Sequence, residues 1–415
     1  MDTLNYRITI LGGEKMPTTL LERFGRKLRI GMVGGGLDSV IGETHRFAFN
    51  LDGMYELVAG CLSIDNEIAQ TSARQLFINP ERSYTDYVQM ANEEASRDDG
   101  IDVIVNCTPP NLHLPVAQTF LDKGIHVISE KPLTHNIEDS IRLRDVVRKS
   151  DKAFILTHCY TGYPLVREMK SMVCEGKLGK IRMVDAEFSC GAPGVALEEP
   201  IRSKRHWHSL PEIAGKESML GEMGSHAHNL ACFILDSNVS EVMADLSIHA
   251  EHREVFDNAY LNVKFENDAI GRIWNSYVAI GRMHGLSIRV IGEKGALNWF
   301  EEEPEYLWYY PLGKAAIRYE RGLDELSPLG LGGNRIRPGH PEGYLAAFAV
   351  IYKDAANYII SKELGMSLKE LEETQGFPFC LPTVEDGFHT IELIDSARKS
   401  NDKGNIWIDT KSATN

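Results

Sequence analysis

An excess of basic side chains and a long apolar run are both missing from this sequence. Lys and Arg total 44 against 59 Asp and Glu, which gives a net charge of -15. Nucleic acids and anionic membrane surfaces attract clustered Lys and Arg, and a membrane-spanning helix needs roughly 18 consecutive apolar residues. The sequence therefore predicts no nucleic-acid partner and no membrane partner.

Paired cysteine motifs are also lacking, because the seven cysteines are scattered and no C-x-x-C pair occurs among them. This usage is typical of reduced thiols that pack as small apolar side chains in a cytoplasmic protein. Neither a disulfide framework nor a metal site is predicted. The N-terminus has an acid at position 2 and no basic region before an apolar one, so it does not match a secretory signal. We expect a cytoplasmic location.

The 415 residues are enough for two domains with separate cores. Residues 1–27 are predicted to form an N-terminal extension. Over residues 28–158, apolar strands alternate with helical patterns, which predicts a parallel sheet covered on both faces. In residues 159–415, apolar and polar residues alternate along longer strands. The predicted fold class is α/β, with a large, open and mostly antiparallel sheet in the second domain.

A glycine turn follows the first strand, in IGMVGGGLDSVIG. Gly34, Gly36 and Ser39 occupy the three positions of G-x-G-x-x-G, where the second glycine lets the backbone approach a pyrophosphate. The third position is Ser39 instead of glycine, and Gly42 lies three residues further on. A purely structural turn is the alternative to a dinucleotide site. The predicted cradle comprises Gly34, Gly36, Leu37, Asp38 and Ser39.

The second strand ends without the acid that normally holds the ribose hydroxyls of a dinucleotide. Ser63 stands at that position, and Asp65 follows two residues later. No Arg or Lys adjoins Ser63 to receive a 2′-phosphate, so the sequence favours NAD over NADP. Asp65 has an alternative role as the N-cap of the next helix. Both residues are included in the predicted cofactor site.

Polar loops follow the next two strands at the same edge of the predicted sheet, where ligand crevices form. Thr108, Pro109 and Asn111 break the chain, and Asn111 or the residues before it are expected to cap the next helix. A nicotinamide cation and partial desolvation would both lower the pKa of Lys131 and suit it to proton transfer. The alternative, an ion pair with Glu130, is disfavoured because adjacent strand residues face opposite sides.

A carboxylate and an imidazole lie four residues apart in SMLGEMGSHAHNL. In a helix, Glu222 and His226 would share one face. A carboxylate that holds one imidazole nitrogen leaves the other as a proton acceptor. His228 lies away from that face, so a Glu-His-His metal site is not expected.

Together these motifs resemble the Gfo/Idh/MocA oxidoreductase family, which includes glucose-fructose oxidoreductase and inositol dehydrogenase. The similar segments are the glycine turn at 34–42, TPPNLH at 108–113, EKPL at 130–133, GKLGKIR at 176–182 and EMGSH at 222–226. The resemblance implies a Rossmann domain, a second domain for substrate binding and oligomerisation, and homodimers or homotetramers. It also implies that Lys131 and His226 flank a substrate hydroxyl, with Glu222 where the family usually has aspartate.

The family resemblance extends the predicted site. His113 and Glu130 join the expected cofactor contacts, and a cis Pro132 is expected to fix the turn that aims Lys131. GHPEGYLAAF and VIGETHRFAF are similar to the branch that contains levoglucosan dehydrogenase and related sugar or glycoside dehydrogenases. For His340, and for Tyr344 beside it, the alternative is capping and packing at a helix start. The expected substrate contacts are Lys131, Tyr160, His208, His226 and His340.

We expect an NAD(P)-dependent dehydrogenase that acts on CH–OH, in which hydride passes between the nicotinamide and a secondary ring hydroxyl of a sugar, glycoside or cyclitol. His226, oriented by Glu222, accepts the hydroxyl proton, while Lys131 stabilises the developing alkoxide. Which of His226 and Lys131 is the formal base stays open. The alternatives are a sensor that binds the dinucleotide or a sugar without turnover, and a redox-assisted glycoside-cleaving enzyme.

Overall fold

The fold is given by a computed structural model that describes residues 19–37, 39–191 and 210–413. Most of the predicted N-terminal extension lies outside these ranges. Within them, Thr19 caps helix α1 (Leu20–Phe24) by accepting a hydrogen bond from the amide of Glu22.

The first half of the chain forms a parallel sheet, as predicted. In the described residues this sheet has five strands in the order β2-β1-β3-β4-β5. All the neighbouring pairs are parallel, so their carboxyl ends meet at one edge. The strands are β1 (Leu28–Gly34), β2 (Tyr55–Cys61), β3 (Val103–Cys107), β4 (His126–Ser129) and β5 (Phe154–Leu156).

Helices connect these strands, and polar side chains start most of them. Ser39, Asp65, Asp86 and Asn136 each accept a backbone N–H in the first turn of the helix that follows. The helices are α2 (Val40–Leu51), α3 (Asn66–Gln75), α4 (Tyr87–Ala95), α5 (His113–Leu121) and α6 (Ile137–Lys149).

The second half forms one large sheet, which confirms the predicted fold class. Over the described ranges it has nine strands in the order β13-β12-β11-β10-β6-β9-β8-β7-β14. The pair β6–β9 is parallel, and the other named pairs are antiparallel. The strands are β6 (Ile181–Ser189), β7 (Val239–Ser247), β8 (Asn258–Phe265), β9 (Ile270–Ser276), β10 (Leu286–Gly292), β11 (Gly295–Phe300), β12 (Tyr306–Pro311), β13 (Ile317–Glu320) and β14 (Ile408–Asp409).

Helices cover one face of this sheet and join it to the first half. Helices α7, α9 and α13 pack on the sheet, and the contacts of α11 with α2 and of α13 with α6 join the two halves. In the stretches that the structure describes, no helix is long and apolar enough to span a membrane. The helices are α7 (Pro164–Cys174), α8 (Pro211–Ala214), α9 (Ser225–Leu235), α10 (Pro328–Gly332), α11 (Tyr344–Glu363), α12 (Leu368–Gln375) and α13 (Val384–Asp402).

Candidate active site

The glycine turn after β1 brings helix α2 unusually close to the strand end. Gly34 has a φ of +74°, and a Cβ there would lie 2.8 Å from the carbonyl oxygen of Cys107. A Cβ on Gly42 would lie 2.3 Å from the carbonyl oxygen of Gly35. Ser39 caps α2 by accepting a hydrogen bond from the amide of Gly42 at 3.2 Å. Gly42 therefore supplies the close contact between helix and turn, and the backbone fits a dinucleotide cradle at the start of a helix.

Two backbone amides of the predicted cradle donate hydrogen bonds to other groups of the protein. The amide of Gly36 donates to the carbonyl oxygen of Leu62 at 3.2 Å. The amide of Leu37 donates to the Ser72 hydroxyl at 3.2 Å, and the Leu37 side chain is exposed. Asp38, also predicted here, lies outside the described residues. These bonds fix the shape of the turn.

The structure shows Asp65 in its alternative role, as the N-cap of a helix. Its Oδ1 accepts hydrogen bonds from the amides of Glu67 and Ile68 at 2.9 and 3.1 Å, so it is the N-cap of α3. The Ser63 hydroxyl accepts a hydrogen bond from the Asp65 amide at 3.1 Å. Asp65 is exposed and Ser63 is half-buried. Both residues remain at the sheet edge, where a ribose is expected.

The loop after β3 corrects two predictions. Asn111 is exposed within a 3-10 turn and caps no helix, since that turn and α5 have no side-chain cap. His113 is fully buried, with Nδ1 2.9 Å from the Pro132 carbonyl oxygen and Nε2 2.9 Å from the Thr108 carbonyl oxygen. His113 therefore ties this loop to the loop after β4 and is inaccessible to a cofactor. Pro109 is half-buried in the same loop.

Lys131 follows β4 and pairs with a residue far along the chain. Its Nζ donates to Oε2 of Glu222 at 3.0 Å and to the backbone carbonyl oxygen of Glu222 at 3.2 Å. The expected cis bond between Lys131 and Pro132 is present. Burial lowers the pKa of Lys131, but the charges of Glu222 and Glu130 outweigh it and the pKa lies above its ordinary value. The predicted lowering of this pKa is therefore wrong for the protein alone.

The expected contact between Glu222 and His226 is absent, and the cause is local. Residues Leu220–Gly224 form a π-helix, in which the amide of Ser225 donates to the carbonyl oxygen of Leu220. The wider turn breaks the register that four-residue spacing gives in an α-helix. Glu222 consequently holds Lys131, and the prediction that it orients His226 is wrong.

His226 lies at the start of α9 in a buried cluster of rings. Its Nδ1 is buried and has no hydrogen-bond partner among the described residues. The ring of Tyr160 stands edge-on at 4.6 Å, and that of His158 at 5.6 Å, between centroids. Burial lowers the pKa of His226 well below its ordinary value, and the charge of Lys131 adds to this. The imidazole is therefore uncharged near neutral pH.

Two further histidines of this cluster were not predicted from the sequence. His158 follows β5, is buried, and has neither ring nitrogen paired within the described ranges. His284 bonds the Tyr160 hydroxyl through Nε2 at 2.8 Å, and its Nδ1 lies 3.2 Å from Glu301. The sequence could have predicted His158 as a site residue, because it follows a buried strand as Lys131 does. His284 lies in a loop and carries no such signal.

The remaining predicted residues are Glu130, His340 and His208. Glu130 is buried, and its Oε1 accepts hydrogen bonds from His45 at 3.1 Å and from Thr157. His340 is exposed, and its backbone carbonyl accepts a hydrogen bond from Arg321. His208 lies outside the residues that the structure describes.

Comparison with known proteins gives one consistent result. The model for an oxidoreductase family with an NAD-binding Rossmann fold matches residues 28–158, and the GFO/IDH/MocA C-terminal domain model matches residues 166–298. The uncharacterized oxidoreductase YfiI of Bacillus subtilis is 30% identical over 405 residues, covering 97% of this chain and 100% of that protein.

Proteins with stated ligands are also similar. The crystal structure of an inositol dehydrogenase homolog from Azotobacter vinelandii, complexed with NAD+, is 31% identical, with a TM-score of 0.86 and coverage of 93% of this chain and 98% of its own. That homolog has also been crystallised with NADH and myo-inositol. Levoglucosan dehydrogenase of Pseudarthrobacter phenanthrenivorans is 24% identical over 68% of this chain and 76% of its own. The chain belongs to the GFO/IDH/MocA family of NAD-binding oxidoreductases.

Proposed function

We propose that this protein is an NAD-dependent dehydrogenase that oxidises a secondary ring hydroxyl of a sugar, glycoside or cyclitol to a ketone. The observation that carries the proposal is a protonated Lys131, held by Glu222, near an uncharged His226 whose Nδ1 has no hydrogen-bond partner among the described residues. A hydroxyl group placed at this pair meets a donor for its oxygen and an acceptor for its proton. The binding of myo-inositol by the Azotobacter homolog supports a polyol substrate.

The carboxyl edge of the first sheet is the proposed cofactor site. The glycine turn and the start of α2 hold the pyrophosphate, Ser63 and Asp65 adjoin the ribose, and Thr108, Pro109 and Asn111 line the nicotinamide half. The exposed carboxylate of Asp65 repels a 2′-phosphate, which supports NAD over NADP. When bound, the nicotinamide supplies the hydride acceptor.

Lys131 is the proposed hydrogen-bond donor to the reacting oxygen. An ammonium group has three N–H donors, and Glu222 takes two of them through its carboxylate and its backbone carbonyl. No other acceptor for Lys131 Nζ is found in the described part of the chain, so we assign the third donor to the substrate. Because Glu222 and Glu130 keep the pKa of Lys131 raised against the effect of burial, the charge persists through the neutral range and stabilises negative charge on the oxygen.

Of the two candidate bases, we assign the role of proton acceptor to His226. Its imidazole is uncharged because burial lowers its pKa, and a protonated Lys131 has no site for another proton. His226 takes the hydroxyl proton as hydride leaves, because the negative charge that develops on the oxygen promotes the loss of hydride. Tyr160 packs edge-on against His226 and is itself fixed by His284, so it forms a rigid aromatic wall for a sugar ring.

We also propose that the protein forms a homodimer or homotetramer through the uncovered face of the large sheet. Met183, Tyr260, Ile270 and Tyr310 are exposed on its strands, and an exposed apolar surface of this kind marks an interface. Analytical ultracentrifugation tests this, because a monomer at micromolar concentration would contradict it. The cytoplasmic location stays a prediction from cysteine usage.

The function is tested with a panel of cyclitols, sugars and glycosides, including myo-inositol and levoglucosan, assayed with NAD+ and NADP+. We expect a rise in reduced-nicotinamide absorbance with at least one polyol, and a faster rise with NAD+. Lys131→Met should retain NAD+ binding by calorimetry and lose at least about a hundredfold in kcat/KM. The sensor alternative is favoured if NAD+ binds tightly but no polyol reduces it and no keto-sugar oxidises NADH.

A further inference from the structure

We propose that His45 is a positioning residue for the active-site lysine, because it holds the buried Glu130 carboxylate ionised and fixed beside Lys131. The inference rests on the proposed function, in which Lys131 acts as a cation. It concerns a part of the molecule that contacts neither the reacting hydroxyl nor Glu222.

A continuous hydrogen-bonded chain leads from the second domain to Glu130. The His45 ring, which is fully buried in α2, lies with Nδ1 2.6 Å from the Tyr352 hydroxyl and Nε2 3.1 Å from Oε1 of Glu130. Thr157 donates to the same carboxylate oxygen. Tyr352 belongs to α11, and its backbone carbonyl accepts a hydrogen bond from the Tyr55 hydroxyl at 2.8 Å. The chain therefore connects both halves of the protein.

The chain fixes where its hydrogens lie. Burial raises the pKa of Tyr352 well above its ordinary value, so the phenol keeps its proton. In the described part of the chain, the acceptor within reach of that O–H is Nδ1 of His45. Nε2 then carries the ring hydrogen and donates it to Glu130. Tyr352 thus selects the tautomer that stabilises the carboxylate.

The state of Glu130 matters because it is the second carboxylate beside Lys131. Burial raises the pKa of Glu130, but the interaction with His45, the charge of Lys131 and the hydrogen bond from Thr157 together outweigh this, and the pKa lies below its ordinary value. The pKa of Lys131 is raised by Glu222 and then by Glu130. Without the donor on His45, Glu130 would be a buried carboxylate with one fewer hydrogen bond, and protonation would become favourable.

Other titratable groups near this pair do not replace its charges. Burial raises the pKa of the Cys107 and Cys159 thiols, so both stay protonated. Burial lowers the pKa of His158 to about 3, so it stays uncharged. The groups that face Glu130 or Lys131 are His45, Cys107, His113, Thr157, His158, Cys159, Glu222, His226, Tyr344 and Tyr352.

The test uses the full-length protein and needs no substrate. Infrared spectra report the carboxylic-acid C=O band of a protonated buried glutamate, and Glu130→Gln assigns that band. Amine labelling as a function of pH, with mass spectrometry of the peptide that contains Lys131, reports the pKa of the lysine. The variants are His45→Phe, which removes both ring nitrogens, and His45→Gln, which retains an N–H donor at the position of Nε2.

We expect His45→Phe at pH 7 to show a carboxylic-acid band that the wild type and the His45→Phe/Glu130→Gln double variant lack. The labelling midpoint of Lys131 should fall by about one pH unit or more, and His45→Gln should restore most of it. Glu130→Gln alone should lower the midpoint too, which keeps the proposal testable if His45→Phe does not fold.

Three results overturn the proposal: a folded His45→Phe protein without the new band, an unchanged Lys131 midpoint in Glu130→Gln, or equal effects of His45→Phe and His45→Gln. The last would assign His45 to packing alone. Because both measurements are independent of turnover, a protein that oxidises no polyol refutes the proposed function and still gives a result for His45.

Discussion

Replacing Glu222 with glutamine removes the charge that raises the pKa of Lys131 most, while leaving a side chain of the same size. At 3.0 Å, two unit charges in an effective dielectric of about 20 interact by about 5 kcal/mol. One pKa unit corresponds to about 1.4 kcal/mol, which sets a ceiling of about four units. Glu222 is partly exposed to water, so we expect the pKa of Lys131 to fall by about one to three units.

The direction of this shift fixes the change in the pH profile. A lysine whose pKa falls loses its proton at lower pH, so the high-pH limb of the kcat/KM profile should shift to lower pH in Glu222→Gln. The assay is kcat/KM against pH with saturating NAD+ and the best polyol of the panel. Glu217→Gln is the matched control, because Glu217 lies five residues earlier and faces Arg398 at 3.7 Å.

Two outcomes would refute this reasoning. A high-pH limb that does not move in Glu222→Gln would mean that the pairing with Lys131 does not govern the active protonation state. An equal shift in Glu217→Gln would mean that the effect comes from the net charge of the region. Affinity for NAD+, measured by calorimetry, should stay within a few-fold of the wild type in both variants.

Two further predictions concern the glycine turn and the ion cluster formed by Glu363, His126 and Lys152. Gly42→Ala places a Cβ 2.3 Å from a backbone oxygen and should lower the free energy of unfolding by about 1–3 kcal/mol. Gly343→Ala is the control, because a Cβ there has nothing within 4 Å, and it should lower the free energy of unfolding far less. Denaturant titration of both variants measures the difference. Glu363 has its pKa lowered to about 2 by hydrogen bonds from His126 and Lys152. Its contribution to stability is present above its ordinary pKa of 4.5 and is lost as pH falls through about 2, so Glu363→Gln should flatten the fall in Tm over that range; an unchanged slope would contradict this.

The elements that the sequence predicted well are those with a strong local pattern. The five strands of the first sheet are continuous apolar runs bounded by polar residues, and a strand buried on both faces needs that pattern. The hairpin of β8 and β9 follows the alternation of a half-exposed sheet. Strand β12 lacks clear alternation, with consecutive aromatic residues in YLWYYP, and the pattern does not predict it.

The site was predictable to the extent that it depends on topology. The carboxyl ends of β3 and β4 had to meet at one edge, so Lys131 was assigned to the crevice from its position alone. Its partner Glu222 lies 91 residues away, and no local pattern encodes such a pairing. The π-helix at Leu220–Gly224 was also unreadable, because π and α turns have no distinct residue spacing in one sequence. The prediction for the pKa of Lys131 was wrong because this pKa is raised by Glu222, the distant partner.

The parallel pairing of β6 with β9 has a consequence for how the active site assembles. Parallel neighbours need a crossover connection, and here that connection carries Glu222, His226, β7 and β8 before the chain returns. Closing so long a loop is slow compared with forming the local β-α units of the first half. The lysine side of the site can therefore be in place while the histidine side is still unfolded, and destabilising changes in α9 should speed unfolding more than they slow folding.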